Sequence, residues 1–239
     1  MNARLVALAL AVAGGAPAAV VLRAPDDALK TVADKLHSTV IDVSGRLPVQ
    51  ASGGTAVPER VTHGTGTLLG HGFAVTTLHA VSLPSPDGKL IPLHDVQVLV
   101  AGSEPMAAQV IAGAPDLDLA ILALPAEAAS LEAAPMSMDP VAGGEPLVAM
   151  GVDDDAVVVV GVTVAAVNGD VLSVGGKRIL DSRFWGGPLY DQRGRLVAIE
   201  LLSLGPSKAI SARVVQRMLD QRAGMNVMTG AVPTEQHGP

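Results

Sequence analysis

The chain has 239 residues, of which 49% are apolar and only 16% charged, so it is a packed globular protein rather than a disordered one. A chain of this length buries about 70–75% of the surface that its unfolded state exposes, and it folds without a metal or disulfide staple. The formal net charge is -7 and no basic run is present, which argues against nucleic acid as a partner. Cysteine is absent, so thiol catalysis, cysteine-ligated zinc and disulfides are excluded together, and any nucleophile must be an oxygen.

The amino terminus has the pattern of an export signal. Arg4 precedes an apolar run over residues 5–22, which two glycines and a proline interrupt. Small residues around Ala18 suit cleavage there, so residues 1–18 are predicted to be a signal peptide. An uncleaved anchor is the alternative, because 18 apolar residues are near the lower limit for a membrane-spanning helix. We expect an exported protein, periplasmic or extracellular, that touches a membrane only through this segment.

One helix and then a series of strands are predicted in chain order. Asp26 and Asp27 follow Pro25 in a first helical turn, and apolar residues at helical spacing continue to Leu36. From residue 38 onward, short runs of Val, Ile, Leu and Thr alternate with Gly, Pro and Asp-Gly, as in an all-β barrel or sandwich. The strands predicted in the first half are 39–43, 66–69, 74–77, 96–100, 107–112 and 120–124.

A second group of strands follows a connection. Residues 125–140 are rich in Ala, Glu and Pro without alternation, which predicts a linker between two halves. The strands predicted in the second half are 146–150, 157–164, 170–174 and 196–202, with a tight turn at Asn168-Gly169. Ser211 is placed to cap a closing helix over 212–222, and residues 223–239 are expected to be a flexible tail.

Four segments carry a recognisable order of motifs. They are residues 64–69 (GTGTLL), 72–81 (GFAVTTLHAV), 116–122 (DLDLAIL) and 186–189 (GGPL) with 194–199 (GRLVAI). In this order they resemble the trypsin-like, chymotrypsin-fold serine proteases of the HtrA/Deg branch. The resemblance covers about residues 26–222 and implies an all-β fold of two antiparallel β-barrels, with a short N-terminal helix and a C-terminal helix. Barrel one would span about 38–124 and barrel two about 141–211.

The resemblance also implies the site. It places the catalytic histidine at His79 and the catalytic aspartate at Asp118, about forty residues later. In such a site the histidine takes a proton from a serine hydroxyl, while the aspartate fixes the imidazole tautomer. Two backbone N–H groups near the serine hold the oxyanion. The family's C-terminal PDZ domain is expected to be absent, because the chain ends soon after the closing helix.

The sequence departs from the family pattern at the nucleophile. The family has Gly-x-Ser-Gly-Gly-Pro, and here residues 183–188 read RFWGGP, so Trp185 stands at the serine position. An indole has one N–H donor and no nucleophilic oxygen, so it cannot form an acyl-enzyme. Arg183 replaces the glycine two places earlier, which also puts in doubt the oxyanion turn that continues into Gly186 and Gly187. We therefore expect a catalytically inactive protease homologue, a pseudoprotease.

A second alignment keeps an active enzyme open. If residues 183–185 are an insertion, Asp181-Ser182 comes before Gly-Gly-Pro, and Ser182 is the nucleophile of an endopeptidase with His79 and Asp118. The tight turn needs a glycine directly after the serine, which favours the first alignment. Trp185 fits either a core or a cleft, because it combines a large apolar ring with an N–H that prefers a partner. A structural β protein without a site is the third alternative.

No cofactor or metal is predicted. Residues 153–155 are three aspartates without the alternating ligand spacing of an EF-hand, so they are interpreted as a solvated loop. His63, His71 and His79 are eight residues apart, which matches no zinc motif. The expected partner is an extended peptide or protein segment, bound between the barrels by strand addition.

Overall fold

The computed structural model describes residues 6–9, 19–22, 27–47, 51–52, 55–56, 60–84, 90–100, 102–154, 156–176, 180–202 and 206–229. The helices are α1 (Asp27–Leu36) and α2 (Ala212–Thr229). The strands of the first half are β1 (Val6–Ala9), β2 (Ala19–Leu22), β3 (Val40–Leu47), β4 (Ala51–Ser52), β5 (Thr55–Ala56), β6 (Arg60–Gly70), β7 (Phe73–Thr77), β8 (Ser82–Pro84), β9 (Leu90–Pro92), β10 (Asp95–Val100), β11 (Met106–Ala114) and β12 (Leu119–Ala123). Those of the second half are β13 (Pro146–Asp153), β14 (Ala156–Asn168), β15 (Val171–Gly175), β16 (Pro188–Tyr190), β17 (Leu196–Glu200) and β18 (Lys208–Ser211).

Barrel one is closed by six strands in the order β10, β11, β12, β7, β6 and β3. In β10, Val96, Val98 and Val100 are buried and the residues between them are more exposed, as expected for a strand with one face on a core. β7 lies antiparallel to β12, with Thr77 opposite Leu119. The chain just after β7 and the chain just before β12 therefore meet at one end of the barrel.

Barrel two is formed by β13 to β18, and the pairing of β14 with β15 closes it. β14 reaches both neighbours because it is long: its first half pairs with β13 and its second half with β15. β16 pairs with β17 directly after the glycine pair, which fixes that turn against barrel two. The hairpin of β1 and β2 extends the sheet outward, since β2 runs parallel to β14.

Both helices pack on an apolar cluster shared by the two barrels. Ala33 and Leu36 of α1 are fully buried there with Met150 of barrel two, and Val215 of α2 lies in the same cluster as Val75 of barrel one. The spacing of three along α1 gives it this single apolar face. The helices thus help to seal the two barrels together.

The predicted all-β fold of two antiparallel barrels is confirmed. β6 and β14 are longer than expected, because Arg60 and its neighbours pair with β3 and residues 166–168 pair with β15. The tight turn is present, with Gly169 at φ +61°. The short hairpins β1–β2, β4–β5 and β8–β9 were not predicted.

The two terminal segments were predicted to be a signal peptide and a flexible tail, and each lies partly outside the described residues. The prediction of a flexible tail from residue 223 is wrong at its start, because α2 continues to Thr229. Gly224 costs about 1 kcal/mol in a helix but does not end one, and Met225 and Met228 favour helix. Residues 230–239 lie outside the described residues, as do 1–5 and 10–18 of the predicted signal peptide. Within the described ranges, neither helix is long and apolar enough to cross a membrane.

Candidate functional site

His79 and Asp118 meet where β7 ends and β12 begins. The imidazole Nδ1 of His79 lies 2.7 Å from Oδ2 of Asp118, and the backbone N–H of His79 donates to Oδ1 at 3.1 Å. An ionised carboxylate only accepts hydrogen bonds, so Nδ1 is the donor in this contact and the ring presents its Nε2 side away from Asp118. The backbone N–H of Leu78 donates to the Asp118 carbonyl at 3.0 Å. The carboxylate thus fixes both the tautomer and the orientation of the ring.

Trp185 faces this pair. Its ring meets the imidazole of His79 edge to face, with ring centroids 5.5 Å apart and planes at 75°. The indole is only partly buried, yet its Nε1 is buried and has no hydrogen-bond partner in the described part of the chain. The indole therefore faces His79 with part of its surface exposed, and it is not among the fully buried residues of either barrel core.

A short 3-10 turn over Ser182–Phe184 precedes Trp185, and with its flanks we call residues 181–187 the Trp185 turn. The side chain of Asp181 caps this turn, because its Oδ1 accepts from the backbone N–H of Arg183 at 3.2 Å. The backbone N–H of Trp185 points back to the carbonyl of Ser182 at 3.4 Å. The resemblance implies two oxyanion-binding N–H groups near the serine position, and the candidates are those of Arg183 and of Trp185 itself. Both donate within the turn instead.

Gly186 and Gly187 seat the Trp185 turn between the barrels. Gly186 has φ +85°, and a Cβ added there would collide with the backbone carbonyl of Thr65. A Cβ at Gly187 would collide with the carbonyl of Met150. The turn is also fixed by hydrogen bonds from Thr65, whose N–H donates to the Trp185 carbonyl at 3.1 Å and whose hydroxyl donates to the Arg183 carbonyl at 2.6 Å. Only glycine permits such a close approach of backbones.

The guanidinium of Arg183 holds two carboxylates. Its Nε and Nη2 bind Asp181 at 2.8 and 2.5 Å, and its Nη1 binds Asp153 at 2.5 Å. The hydrogen bonds that the guanidinium donates to Asp181, and then to Asp153, raise the pKa of Arg183 further above its usual value. The sequence-based interpretation of residues 153–155 as a solvated loop left this ion pair out. No spacing rule links positions 153 and 183, so only the fold reveals it.

Glu200 is a buried acid that sequence analysis did not single out. It is 1% exposed, and neither carboxylate oxygen has a hydrogen-bond partner of normal geometry among the described residues. Burial raises the pKa of Glu200 to about 8, and the nearby Ser207 hydroxyl offsets this in part. Its backbone lies against the Trp185 turn, since Gly186 donates to the Glu200 carbonyl at 2.8 Å. A charged residue ending the apolar run LVAIE was the available signal.

Ser182 stands apart from the histidine pair. It is exposed, and it lines a pocket of about 150 Å³ between the barrels, together with Asp42 and His63 of barrel one and Arg183. Among the hydrogen bonds of the described residues, none joins the Ser182 hydroxyl to His79. The structure thus brings His79, Asp118 and Trp185 together and places Ser182 at the neighbouring pocket.

The arrangement retains one device of acyl transfer. An imidazole oriented by a carboxylate is the arrangement that general-base catalysis uses. The group facing that base is an indole, which carries no oxygen to activate. The described residues contain no cluster of three or more potential metal ligands.

Comparisons with known proteins agree with this architecture. Residues 64–199 match the family model of the trypsin-like peptidase domain. The chain is similar in structure to the active form of the Rv3671c protease from M. tuberculosis, at 20% identity and a TM-score of 0.64, covering 83% of this chain and 88% of that one. It is also similar to the serine endoprotease from Yersinia pestis, at 18% identity and a TM-score of 0.64, covering 82% and 67% respectively. A search among curated proteins finds no match. At these identities the structural likeness establishes the fold alone.

Proposed function

We propose that this chain, which belongs to the trypsin-like peptidase domain family, is a catalytically inactive member of the HtrA-related branch. We propose also that it binds an extended peptide or protein segment between its barrels. The observation that carries the proposal is the indole of Trp185, which faces the His79 imidazole where a serine hydroxyl would have to stand. Without an oxygen nucleophile, no acyl-enzyme can form.

The magnitude of the loss supports inactivity. In a protease of this mechanism, removing the serine alone lowers kcat by roughly 10⁶-fold, and the remainder comes from the oxyanion hole and substrate binding. Here the two candidate oxyanion amides donate to Asp181 and to the Ser182 carbonyl. The residual rate should therefore fall as well. We expect no measurable turnover.

Binding without cleavage needs only the cleft. The pocket between the barrels has a carboxylate, an imidazole, a guanidinium and hydroxyls in its lining. Extended peptides bind such surfaces through main-chain hydrogen bonds, with side chains entering pockets. A peptide or an unfolded protein segment is therefore the ligand class that we propose, and a regulatory role would follow from holding that segment without cutting it.

We propose further that the protein is exported. Arg4 and the apolar run after it support a cleavable leader, with residue 18 as the last residue removed. Cleavage there would leave β2 intact, because that strand begins at Ala19. Intact mass of the secreted or periplasmic protein tests this. A mass that retains residues 1–18 would instead support the anchor.

A serine-directed probe tests the inactivity. We expect the purified full chain to gain no adduct from a fluorophosphonate, read by intact mass, and to leave fluorescently labelled denatured casein uncut. The His79→Ala variant is the matched control and should behave in the same way. An adduct that maps to Ser182 and is lost in His79→Ala would overturn the proposal and establish the endopeptidase.

A fluorescence titration tests the binding. Trp185 is the only tryptophan, so its emission reports on the surroundings of His79 and the Trp185 turn, which adjoin the pocket. Denatured casein should shift that emission saturably, and the anisotropy of labelled casein should rise over the same concentration range. A folded protein of similar net charge, added in place of the denatured casein, serves as the control. Absence of a saturable change in both signals would contradict a peptide-binding role.

A further inference from the structure

The backbone N–H of Arg183 is already hydrogen-bonded to a carboxylate of the same chain. In an acyl-transfer site, two backbone N–H groups must converge on one oxygen that becomes negative in the transition state. Here the Arg183 N–H donates to Oδ1 of Asp181 at 3.2 Å, while the Trp185 N–H turns to the Ser182 carbonyl at 3.4 Å. An internal anion thus sits on one donor, and the second donor points elsewhere.

The carboxylate is held on that amide from the other side as well. The Arg183 guanidinium binds both oxygens of Asp181, a bidentate geometry that is among the stronger ion pairs of proteins. The remaining Nη1 binds Asp153 at the end of β13, which ties the guanidinium to barrel two. We call these three residues the Asp181–Arg183–Asp153 clamp.

We propose that the Asp181–Arg183–Asp153 clamp is a second block on acyl transfer: Asp181 and Arg183 are positioning residues that keep the Trp185 turn in a form without an oxyanion hole. The inference rests on the proposed inactivity and deepens it, because it states that the missing nucleophile is not the only obstacle. Restoring a serine at position 185 would then restore only part of the reactivity.

Charge acts in the same direction as geometry. The clamp contains two carboxylates and one guanidinium, a net charge of -1 beside the place where an oxyanion would form. Removing the Asp181 carboxylate makes the net charge zero, frees the Arg183 N–H and releases two of the three guanidinium contacts. Each of these changes favours a negative oxygen at the turn.

The test measures the rate at which a fluorophosphonate labels a serine introduced by Trp185→Ser in the full chain. One oxyanion donor is worth about 10²–10³-fold in rate, so Asp181→Ala added to Trp185→Ser should accelerate labelling at least about tenfold. A merely stabilising role of Asp181 would leave the rate unchanged or lower it. The acceleration should disappear when His79→Ala is added, because the histidine is the base.

Two further variants keep the test decisive. Asp139→Ala removes a comparable ion pair, from Arg195 to Asp139 at 2.6 Å, away from the Trp185 turn, and should not accelerate labelling. Asp153→Ala releases the guanidinium from β13 but leaves the Asp181 cap in place. It replaces Asp181→Ala in the test if thermal unfolding shows that Asp181→Ala does not fold. It should change the rate in the same direction by a smaller factor.

The outcomes separate the two proposals. If Trp185→Ser is labelled as fast as the double variant Trp185→Ser/Asp181→Ala, or if neither of them is labelled, the proposed role of the clamp is wrong. The proposed inactivity of the natural chain is not affected by that result. If the natural chain itself is labelled, the proposed function fails. Faster labelling only after the clamp is broken, with no adduct on the natural chain, supports both.

Discussion

Gly186 shows how much of the site depends on the absence of one atom. Its φ of +85° strains any residue with a Cβ, and that Cβ would meet the Thr65 carbonyl as well as Oγ1 of Thr76. The motif Gly-Gly-Pro predicted a turn here from sequence alone. It could not predict that barrel one lies directly against the turn, because that contact joins residues far apart in the chain.

We expect Gly186→Ala to lower the free energy of unfolding by more than about 3 kcal/mol, since left-handed strain of about 1–2 kcal/mol adds to a backbone collision. Gly169→Ala is the matched control, because Gly169 also has a positive φ, +61°, but a Cβ there meets nothing within 4 Å. It should lose only about 1–2 kcal/mol. Urea unfolding measures both, and equal losses would contradict a collision at Gly186.

At the scale of the elements, β17 was predicted in the right place, but the burial of its final residue, Glu200, was not. Apolar alternation and flanking turns locate a strand, as they did for β10 and for most strands of both barrels. They do not report whether the last side chain points to solvent. Glu200 lies on the same face of β17 as Ala198, and Ala198 belongs to an apolar cluster of barrel two that also contains Ala209, the β18 residue paired with Glu200.

Glu200 should make stability fall as pH rises. Its pKa is about 8 in the folded state against an ordinary value of 4.5, so the folded protein binds the extra proton between these values. The stabilisation is complete below about pH 4.5 and is lost as pH rises through about 8, by roughly 4–5 kcal/mol in total. Glu200→Gln should remove this slope, so the variant should match the natural protein near pH 5 and exceed it near pH 9.

Urea unfolding at pH 5, 7 and 9 measures that slope. Glu132→Gln is the matched control, because it removes a carboxyl from an exposed position. Parallel pH profiles for the natural protein and Glu200→Gln would show that the buried carboxyl is not responsible.

At the scale of the whole molecule, the site is a product of barrel closure. His79 and Asp118 are 39 residues apart in sequence and meet because β7 and β12 are neighbours with a fixed register. The order of motifs predicted this pair through a family resemblance. The contacts of Arg183 and Thr65 across the barrels were not predictable, because neither has a local pattern and both depend on how the two barrels dock.

The hydroxyl of Thr65 links the two barrels, and removing it should make their unfolding less cooperative. Its hydroxyl donates to the Arg183 carbonyl at 2.6 Å and accepts from the Val152 N–H at 3.0 Å, both in barrel two. Thr65→Val keeps the shape but leaves both groups unpaired, at a cost of about 2–4 kcal/mol. We expect an earlier urea midpoint and a tryptophan transition that precedes the circular-dichroism transition.

Thr76→Val is the control for this prediction. It loses one buried hydrogen bond inside barrel one, to the Thr65 carbonyl at 2.8 Å. It should cost about 1 kcal/mol and keep the two transitions coincident. Coincident transitions in Thr65→Val as well would show that the barrels are held together mainly by the apolar cluster.

The position of α1 sets an order of events during synthesis. This helix comes before barrel one in the chain, yet Leu36 packs near Gly194 and Leu29 near Gly161, both in the second half. Its docking surface does not exist until most of the chain has been made, and contacts of such long sequence separation form slowly. The helix must therefore stay undocked until late, and that delay leaves time for a translocation machinery to engage the proposed leader.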